Sequence, residues 1–232
     1  MKTELEYPIN VYGVKLEFIS PIHGGVPKNP DIAETWLKTN LGRSKLAEEE
    51  KEGRLEATMT ELKDTLTEVE KTMSNGFRVV KGSDEKIYIT AYQIKSMLKE
   101  AAESLRRSGV LKITSYRQRL GRDVQVFGVE EPFKIFFKRN GGLLKTADDK
   151  EIITVHANTP SGPINAIKKV DVIKPPVEVE FTMEVVGKSI TEQQLKLFLT
   201  HAGRFIGLGS DRGLQSGLFI ISEFENKANG SK

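Results

Sequence analysis

Five glycines lie within fifteen residues near the C-terminus of this chain, in the stretch GRFIGLGSDRGLQSG that precedes the apolar segment LFIISEFE. Glycine is favoured where the backbone takes a positive φ or approaches another backbone closely, so the stretch predicts tight turns or a ligand lying against main chain. Arg204 and Arg212 lie among the glycines and favour an anionic ligand. The alternative is a flexible connection. The five glycines are Gly203, Gly207, Gly209, Gly213 and Gly217.

The glycine spacing fits neither of the common nucleotide-binding loops. The stretch has no Gly-Lys-Ser/Thr of a P-loop, and its glycines follow a predicted helix, whereas a Rossmann fingerprint follows a strand. We therefore expect no ATP, NAD or other cofactor. Glycines between a helix and a final strand can let an extended phosphodiester chain lie against backbone N–H groups. Gly207, Gly209 and Gly213 are the predicted backbone contacts, with Arg204 and Arg212 on phosphates.

A second candidate for phosphate binding is a cluster of cations in which no acid lies between Arg106 and Asp123. Such a cluster is favoured when phosphates neutralise it, and the embedded Tyr116 would give a base a stacking face. The first two arginines also suit a helix C-terminus, so the prediction depends on the last three. The alternative is a solvated helix end and loop. The six cations are Arg106, Arg107, Lys112, Arg117, Arg119 and Arg122.

The chain has three histidines, His23, His156 and His201. The last two fall near the ends of a predicted strand and a predicted helix, where structural roles are expected. His23 lies in a loop beside Gly24 and Gly25, where a general acid or base could meet a substrate. No second residue completes a catalytic site in sequence. Scattered histidines and the absence of cysteine also predict no metal site.

Strand and helix patterns place these residues in an α+β protein with an antiparallel sheet. The spacing of Thr191 and Gln194 predicts a capping box that opens a helix, which we expect to end at Gly203. The segment that contains Arg117 to Arg122 has no clear periodicity. The other predicted elements are a strand at 9–19, two short strands at 77–90, a helix at 91–108, two strands within 124–142 and strands at 177–186 and 218–224.

Two segments are predicted to extend from this core. Residues 44–75 form an acidic insertion whose helix carries a heptad stripe and ends at Ser74-Asn75-Gly76. Residues 44–74 have nine acids and five bases, so this segment has a charge of −4 and the rest of the chain +7. We expect the stripe to pack on the domain or on a neighbouring subunit. Residues 157–170 look like a protruding arm with Lys168 and Lys169 on its returning limb.

Composition limits the class of protein. The chain has 232 residues, of which 38% are hydrophobic and 29% charged, and no apolar run approaches the length of about 20 residues that spans a bilayer. It has no cysteine and no apolar signal core, so we expect a cytoplasmic protein without a membrane partner. The basic remainder favours a polyanion ligand. Residues 1–226 are predicted to form one domain, and 227–232 a disordered tail.

The C-terminal thirty-five residues resemble the end of a known family. The helix EQQLKLFLTHA, the glycine stretch and the strand LFIISEFE look like a backbone subunit of the repeat-associated mysterious proteins of CRISPR systems, which take part in antiviral defence. The resemblance implies a ferredoxin-like, RNA-recognition-like fold with helices on one face of the sheet and a thumb-like hairpin arm. The glycine spacing departs from the commonest family pattern, and the acidic insertion has no place in it.

The resemblance implies a noncatalytic protein that coats single-stranded guide RNA as a repeating subunit beside copies of itself or related subunits. The predicted RNA contacts are Tyr116, Arg117, Arg119, Arg122, Lys168, Lys169, Arg204, Gly207, Gly209, Arg212 and Gly213. One alternative is a metal-independent endoribonuclease that processes guide RNA with His23 as general acid or base. Another is a protein-interaction module that docks a partner through the acidic helix.

Overall fold

The computed structural model describes residues 8–28, 74–80, 85–112, 115–159 and 162–227, and backbone alone for 154–167. The acidic helix predicted within 44–73 and the tail after Lys227 lie outside these residues. Within the described ranges, no helix is long and apolar enough to cross a membrane. The helices are α1 (Ala91–Arg107), α2 (Tyr116–Asp123) and α3 (Glu192–Phe205), and Arg212–Leu214 form one turn of 3₁₀-helix.

Thirteen strands are described, and they are numbered in chain order. They are β1 (Ile9–Phe18), β2 (Ile22–His23), β3 (Val26–Pro27), β4 (Ser74–Gly76), β5 (Arg78–Val80), β6 (Lys86–Thr90), β7 (Val124–Gly128), β8 (Lys134–Arg139), β9 (Gly142–Leu143), β10 (Asp149–Thr159), β11 (Gly162–Ile173), β12 (Glu178–Val186) and β13 (Phe219–Asn226).

The centre of the molecule is a four-stranded sheet in the order β13-β1-β12-β7, and each neighbouring pair is antiparallel. Helices α1 and α2 lie in the connection between β1 and β7, and α3 connects β12 to β13. Each of these connections skips one strand, so two split β-α-β units interleave. This order is the ferredoxin-like arrangement, and the predicted α+β fold with an antiparallel sheet is confirmed.

The alternation of side chains along the central strands puts the helices on one face of this sheet. In β1 the residues Tyr12, Val14, Leu16 and Phe18 are buried, while the residues between them are not. In β12 the buried residues are Val179, Phe181, Met183 and Val185. All eight belong to one core cluster that also contains the inward side chains of the three helices. The opposite face of β1 and β12 therefore has no described helix against it.

The central sheet continues beyond β12. Strand β8 pairs with the first residues of β12, next to β7, and is followed by β6 and β5, again antiparallel. The tilted rings of Phe18 and Phe137, with centroids 6.0 Å apart, join β1 and β8 across the core. Helix α1 begins directly after β6, where the N-cap Thr90 and Gln93 form a capping box.

A second sheet is built around a long hairpin. Strands β10 and β11 pair from Asp149↔Val172 to Thr159↔Gly162. The segment 157–170, predicted as an arm, lies in this hairpin. Its thumb-like projection stays a prediction. Strand β2 pairs with the base of β11, and β4 pairs with it in parallel. The predicted helix C-cap at Ser74–Gly76 is wrong, because these residues form β4 between β3 and β11.

Candidate nucleic-acid interface

The glycine loop, which comprises residues 203–217, is folded against the connection between β1 and β2. Helix α3 runs two residues past Gly203, which the sequence predicted as its end. A Cβ at Gly203 would strike the carbonyl oxygen of Phe219, so this glycine lets α3 approach β13 closely. Two residues after the last helical residue, Gly207 has a φ of +77° and donates its N–H to Ala202 O at 2.8 Å, which closes the end of the helix. A positive φ at this position is a common way for a helix to stop.

The backbone N–H groups of the loop are largely used by the fold. Leu208 N donates to Gly217 O at 2.9 Å, and Gly217 N donates to Pro21 O at 2.7 Å. Gly217 has φ +69°, and a Cβ there would strike the backbone of Leu208. The prediction that Gly207 offers its N–H to a phosphate is therefore wrong. Its amide is committed to helix termination, and the loop is well ordered by close contacts between backbones.

Gly209 and Gly213 differ in whether the fold fills the space beside them. Gly209 has φ +103°, and a Cβ there would lie 2.9 Å from His23 O, so it faces the β2 backbone. The next residue, Ser210, donates its N–H to that His23 oxygen at 3.0 Å. Gly213 is exposed, and a Cβ there would meet no atom within 4 Å. Of the three predicted glycine contacts, Gly213 is the one open to a ligand on its side-chain side.

His23 is buried at the junction of the glycine loop and the hairpin. It is 7% exposed, so the expected access to a substrate is wrong. Its Nε2 lies 3.5 Å from a carboxylate oxygen of Glu151, and its Nδ1 lies 3.6 Å from one of Asp211. Lys168 binds the same Asp211 at 3.2 Å. The buried ring therefore lies between two carboxylates from different elements, which indicates a structural position.

Sequence reasoning missed both carboxylates because they are far from His23 in the chain. A buried charged group needs a partner. The available signals for this junction were therefore Lys168 on the returning limb and Asp211, the one acid of the glycine loop. Lys169, the neighbour of Lys168 on β11, is exposed. Among the described residues, no group of three or more histidine and carboxylate side chains could hold a metal ion.

The arginines at 117, 119 and 122 lie on α2, a helix that the sequence did not predict. Its first residue, Tyr116, is 4% exposed and packs edge-on against Phe198 with ring centroids 5.5 Å apart. The Tyr116 hydroxyl accepts a hydrogen bond from Gln194 Nε2 at 2.6 Å. The expected stacking role of Tyr116 is therefore wrong, because both its ring and its hydroxyl are occupied within the core.

The three arginines of α2 differ in what they can reach. Arg119 is half-buried, donates to Ser189 O at 3.3 Å and stands 5.8 Å from the centre of the Tyr116 ring. Arg122 is 82% exposed and pairs with Asp123 at 2.8 Å. Arg117 is exposed and has no ion pair among the described residues. Arg117 and Arg122 are therefore available to a ligand, and Arg119 mainly supports the fold.

The first two cations of the predicted cluster are compensated by an acid that precedes them. Arg106 and Arg107 both bind Glu103, at 2.7 and 3.0 Å, and these bonds lower the pKa of Glu103 to about 2. The expectation of six uncompensated cations is thus wrong for this pair, and Arg122 has Asp123. Lys112 is exposed. Six cations against two carboxylates still leave a local excess of positive charge.

Two further cations extend this positive region onto α1. Lys99 lies over α2, since its Nζ is 3.5 Å from where a Cβ would stand on Gly121. Burial and the neighbouring charge of Lys99 both lower the pKa of Lys95. Lys95 also donates to Gln125 at 3.1 Å, a neutral group. We call Lys95, Lys99, Arg117 and Arg122 the α1–α2 basic surface. The sequence reasoning did not select its two lysines, because only the fold brings them to α2.

Arg204 and Arg212 lie on another part of the helical layer. Arg204 is exposed near the end of α3, and Arg212 binds Glu100 of α1 at 2.7 Å. This ion pair ties the exposed side of the glycine loop to α1. The two arginines therefore share the helical side of the molecule with the α1–α2 basic surface, whereas Lys168 is on the hairpin.

The open face of the central sheet carries the opposite charge. Along β1 and β12 its members are Val11, Gly13, Lys15, Glu17, Glu178, Glu180, Thr182 and Glu184. Lys15 binds Glu178 at 3.0 Å, and Lys138 of β8 binds Glu180 at 2.7 Å. A groove of about 420 Å³ opens beside these pairs. An RNA-recognition sheet stacks bases on aromatic side chains, and β1 and β12 present none on this face.

Comparisons with known proteins give similarity in structure alone. No model of a protein family and no curated protein matches this chain. One solved chain, from a cryo-EM structure of the type III-B Cmr-beta bound to cognate target RNA, is 15% identical with a TM-score of 0.42, over 94% of this chain and 60% of that one. Another, from a type IV-B CRISPR complex, is 10% identical with a TM-score of 0.40, over 96% and 92%. This chain thus spans 60% of the length of the first.

Proposed function

We propose that this protein is a noncatalytic subunit of a CRISPR-type effector complex and that it binds single-stranded RNA through the α1–α2 basic surface. The CRISPR part of the proposal comes from the resemblance of the C-terminal residues. The binding part is supported by one observation above all: Lys95 and Lys99 of α1 and Arg117 and Arg122 of α2 lie on two packed helices, and the ion pair described for this set is that of Arg122 with Asp123.

Electrostatics explains why such a surface favours a polyanion. Each cation raises the free energy of its neighbours: burial lowers the pKa of Lys95, and the charge of Lys99 lowers it further. Phosphates would remove the repulsion and release their own counterions, which is the main source of affinity for nucleic acids. Arg117 forms no ion pair among the described residues, so its contact with a phosphate would break none.

The open sheet face is the wrong partner for RNA, because its glutamates would repel phosphates. RNA-recognition folds commonly use that face, so this chain would use its ferredoxin-like core in a different way. The repeating arrangement along RNA follows from the resemblance. It requires that copies of the chain, or related subunits, contact one another along the strand.

The test is the size of the protein in solution with single-stranded RNAs of increasing length. We expect a ladder of assemblies in which each added stretch of RNA accommodates one more copy. The matched variant carries Arg117→Ala and Arg122→Ala, which remove the two exposed α2 cations. It should keep the size of the free protein and lose the ladder. A wild-type protein whose size does not change with RNA would contradict the proposal.

The endoribonuclease alternative has less support from the geometry. His23 is buried, and both of its ring nitrogens face carboxylates. Cleavage of repeat RNA without metal, abolished by His23→Ala in a variant that keeps wild-type stability, would restore that alternative. The acidic helix of the third alternative lies outside the described residues, and its docking role stays a prediction.

A further inference from the structure

An aromatic side chain at the end of α3 is open to solvent, as Tyr92 of α1 also is, at 70% exposure. Phe205, the last residue of α3, is 72% exposed, and Leu214 of the glycine loop is 64% exposed. Of the other large apolar residues of α3, Leu195, Phe198 and Leu199 are buried and Leu197 is 37% exposed. Leaving a whole phenyl ring in water forgoes the free energy of burying it, so an exposed ring beside charged groups indicates a contact surface.

The Phe205 ring packs against another side chain of its own helix. His201, one turn earlier, has its ring centroid 5.1 Å from that of Phe205 at an angle of 39°. His201 Nε2 is in turn hydrogen-bonded to Ser104 Oγ of α1 at 2.9 Å. Burial lowers the pKa of His201, which favours the neutral form of the ring beside Phe205. A phenyl ring fixed on one edge with its surface exposed is a preorganised platform.

Arg204 lies beside this platform, and Arg212 lies in the loop that follows α3. The guanidinium of Arg204 is 5.9 Å from the centre of the Phe205 ring. His201 of α3 contacts Ser104 of α1, and Arg212 of the glycine loop contacts Glu100, one turn nearer the N-terminus of α1. The chain from the end of α3 into the glycine loop therefore runs along α1 toward its N-terminus. Both His201, which neighbours Phe205, and Arg212 therefore contact α1. Gly213 follows Arg212 without any atom within 4 Å of its side-chain position, so the approach is open.

We infer that Phe205 stacks on a nucleobase of the bound single-stranded RNA while Arg204 and Arg212 contact the adjoining phosphates. This inference rests on the proposed function and adds a base contact to a surface otherwise made of phosphate contacts. An aromatic ring flanked by cations suits single-stranded RNA because every base has a face that can stack, whatever the sequence. The positive charge of Arg204 beside the ring favours this ligand over an apolar segment of a protein partner.

The test is a binding titration with oligoadenylate and with an abasic ribose-phosphate oligomer of the same length. We expect Phe205→Ala to weaken binding of oligoadenylate by about tenfold. Phe205→Tyr should keep the wild-type affinity, since a ring remains. Phe133, which is 70% exposed in the turn before β8, provides the matched control, and Phe133→Ala should bind as the wild type does.

Two features separate stacking from electrostatics in this experiment. The dependence of log affinity on log salt should be the same in Phe205→Ala as in the wild type, because no phosphate contact is removed. The abasic oligomer should bind the wild type and Phe205→Ala equally. Arg212→Ala should reduce the salt dependence for both oligomers.

Each failure has a different meaning. If the wild type binds oligoadenylate and Phe205→Ala binds it equally well, the inference is wrong and the proposed function stands. If the wild type binds neither oligomer, the proposed function is wrong and the inference with it. If Phe205→Ala instead lowers the mass of the RNA-free protein, the ring belongs to a contact between copies, and base stacking is overturned.

Discussion

The helical face and the open sheet face of this protein are built on the same four strands, yet they carry opposite charge. The helical face presents Lys95, Lys99, Arg117 and Arg122, and among the described residues the ion pair of this set is that of Arg122 with Asp123. The sheet face presents four glutamates, Glu17, Glu178, Glu180 and Glu184, of which Glu178 pairs with Lys15 and Glu180 with Lys138. The helical face therefore has an excess of positive charge, and the sheet face has an excess of negative charge.

This difference teaches that a ferredoxin-like core does not by itself say which face binds a ligand. Strand alternation fixes only that one face of β1 and β12 is apolar and packs on the helices. The polar positions between are free to vary, and here β12 fills them with Glu178, Glu180 and Glu184. The net charge of +3 averages over these two surfaces and hides both.

The largest effect is expected from the glycine loop that shapes the helical face. Gly217→Ala would place a methyl group on the backbone of Leu208 at a φ of +69°, and we expect the free energy of unfolding to fall by roughly 3 kcal/mol. Gly213→Ala is the matched control, since nothing lies within 4 Å of that position. Urea denaturation measures both. Equal stabilities would mean that the loop does not need its glycines for the fold.

Charge reversal on the two faces should give the next largest effect. Arg117→Glu with Arg122→Glu should weaken RNA binding about a hundredfold at low salt, because two favourable contacts become repulsive. Glu17→Gln with Glu184→Gln changes the sheet face and should leave the affinity within about twofold. Fluorescence anisotropy with a labelled single strand gives both numbers. A larger effect from the sheet variant would reverse the assignment of the faces.

Neutral substitutions sharpen the same comparison through salt. For single strands, each phosphate contact contributes about 0.7 to the slope of log affinity against log salt. Arg117→Ala and Arg122→Ala should each reduce the slope by about that amount. Arg119→Ala should instead lower stability, since Arg119 binds Ser189 O and contacts the Tyr116 ring. A slope that neither exposed arginine changes would remove α2 from the interface.

The smallest expected effect is the loss of stability at low pH that comes from Glu180 on the sheet face. Hydrogen bonds and charge from Lys138, with Lys15 adding to them, lower the pKa of Glu180 from 4.5. A carboxyl group with a lowered pKa stabilises the fold above its ordinary pKa, and this stabilisation is lost as the pH falls through the folded value. Glu180→Gln should therefore cost less than about 1 kcal/mol at pH 7 and nothing in strong acid. A loss that persists in acid would show a cause other than charge.

Much of the fold could be predicted from local patterns. Alternation predicted β1 and β12, helical periodicity predicted α1, and the capping box of α3 forms as expected, with Gln194 N donating to Thr191 Oγ1 at 3.3 Å. Helix α2 was missed because it has eight residues, one of them Gly121, and a short polar helix has little periodicity.

The candidate site was harder to predict because its contacts cross the chain. Tyr116 is buried by Phe198 and Gln194, which lie about eighty residues away in sequence. His23 meets Asp211 only because the glycine loop folds back onto β2. Residue types correctly predicted tight turns at the glycines. Which amides the fold then uses, and which stay open, depends on tertiary contacts that no local pattern records.

The most direct test of the account is to crosslink the protein to single-stranded RNA that contains 4-thiouridine and to identify the crosslinked peptides by mass spectrometry. The account predicts crosslinks in α1, in α2 and in the exposed half of the glycine loop around Phe205. It predicts none in the central residues of β1 and β12. Crosslinks concentrated on the sheet face, around Glu17 and Glu178, would contradict the claim that the helical face binds RNA.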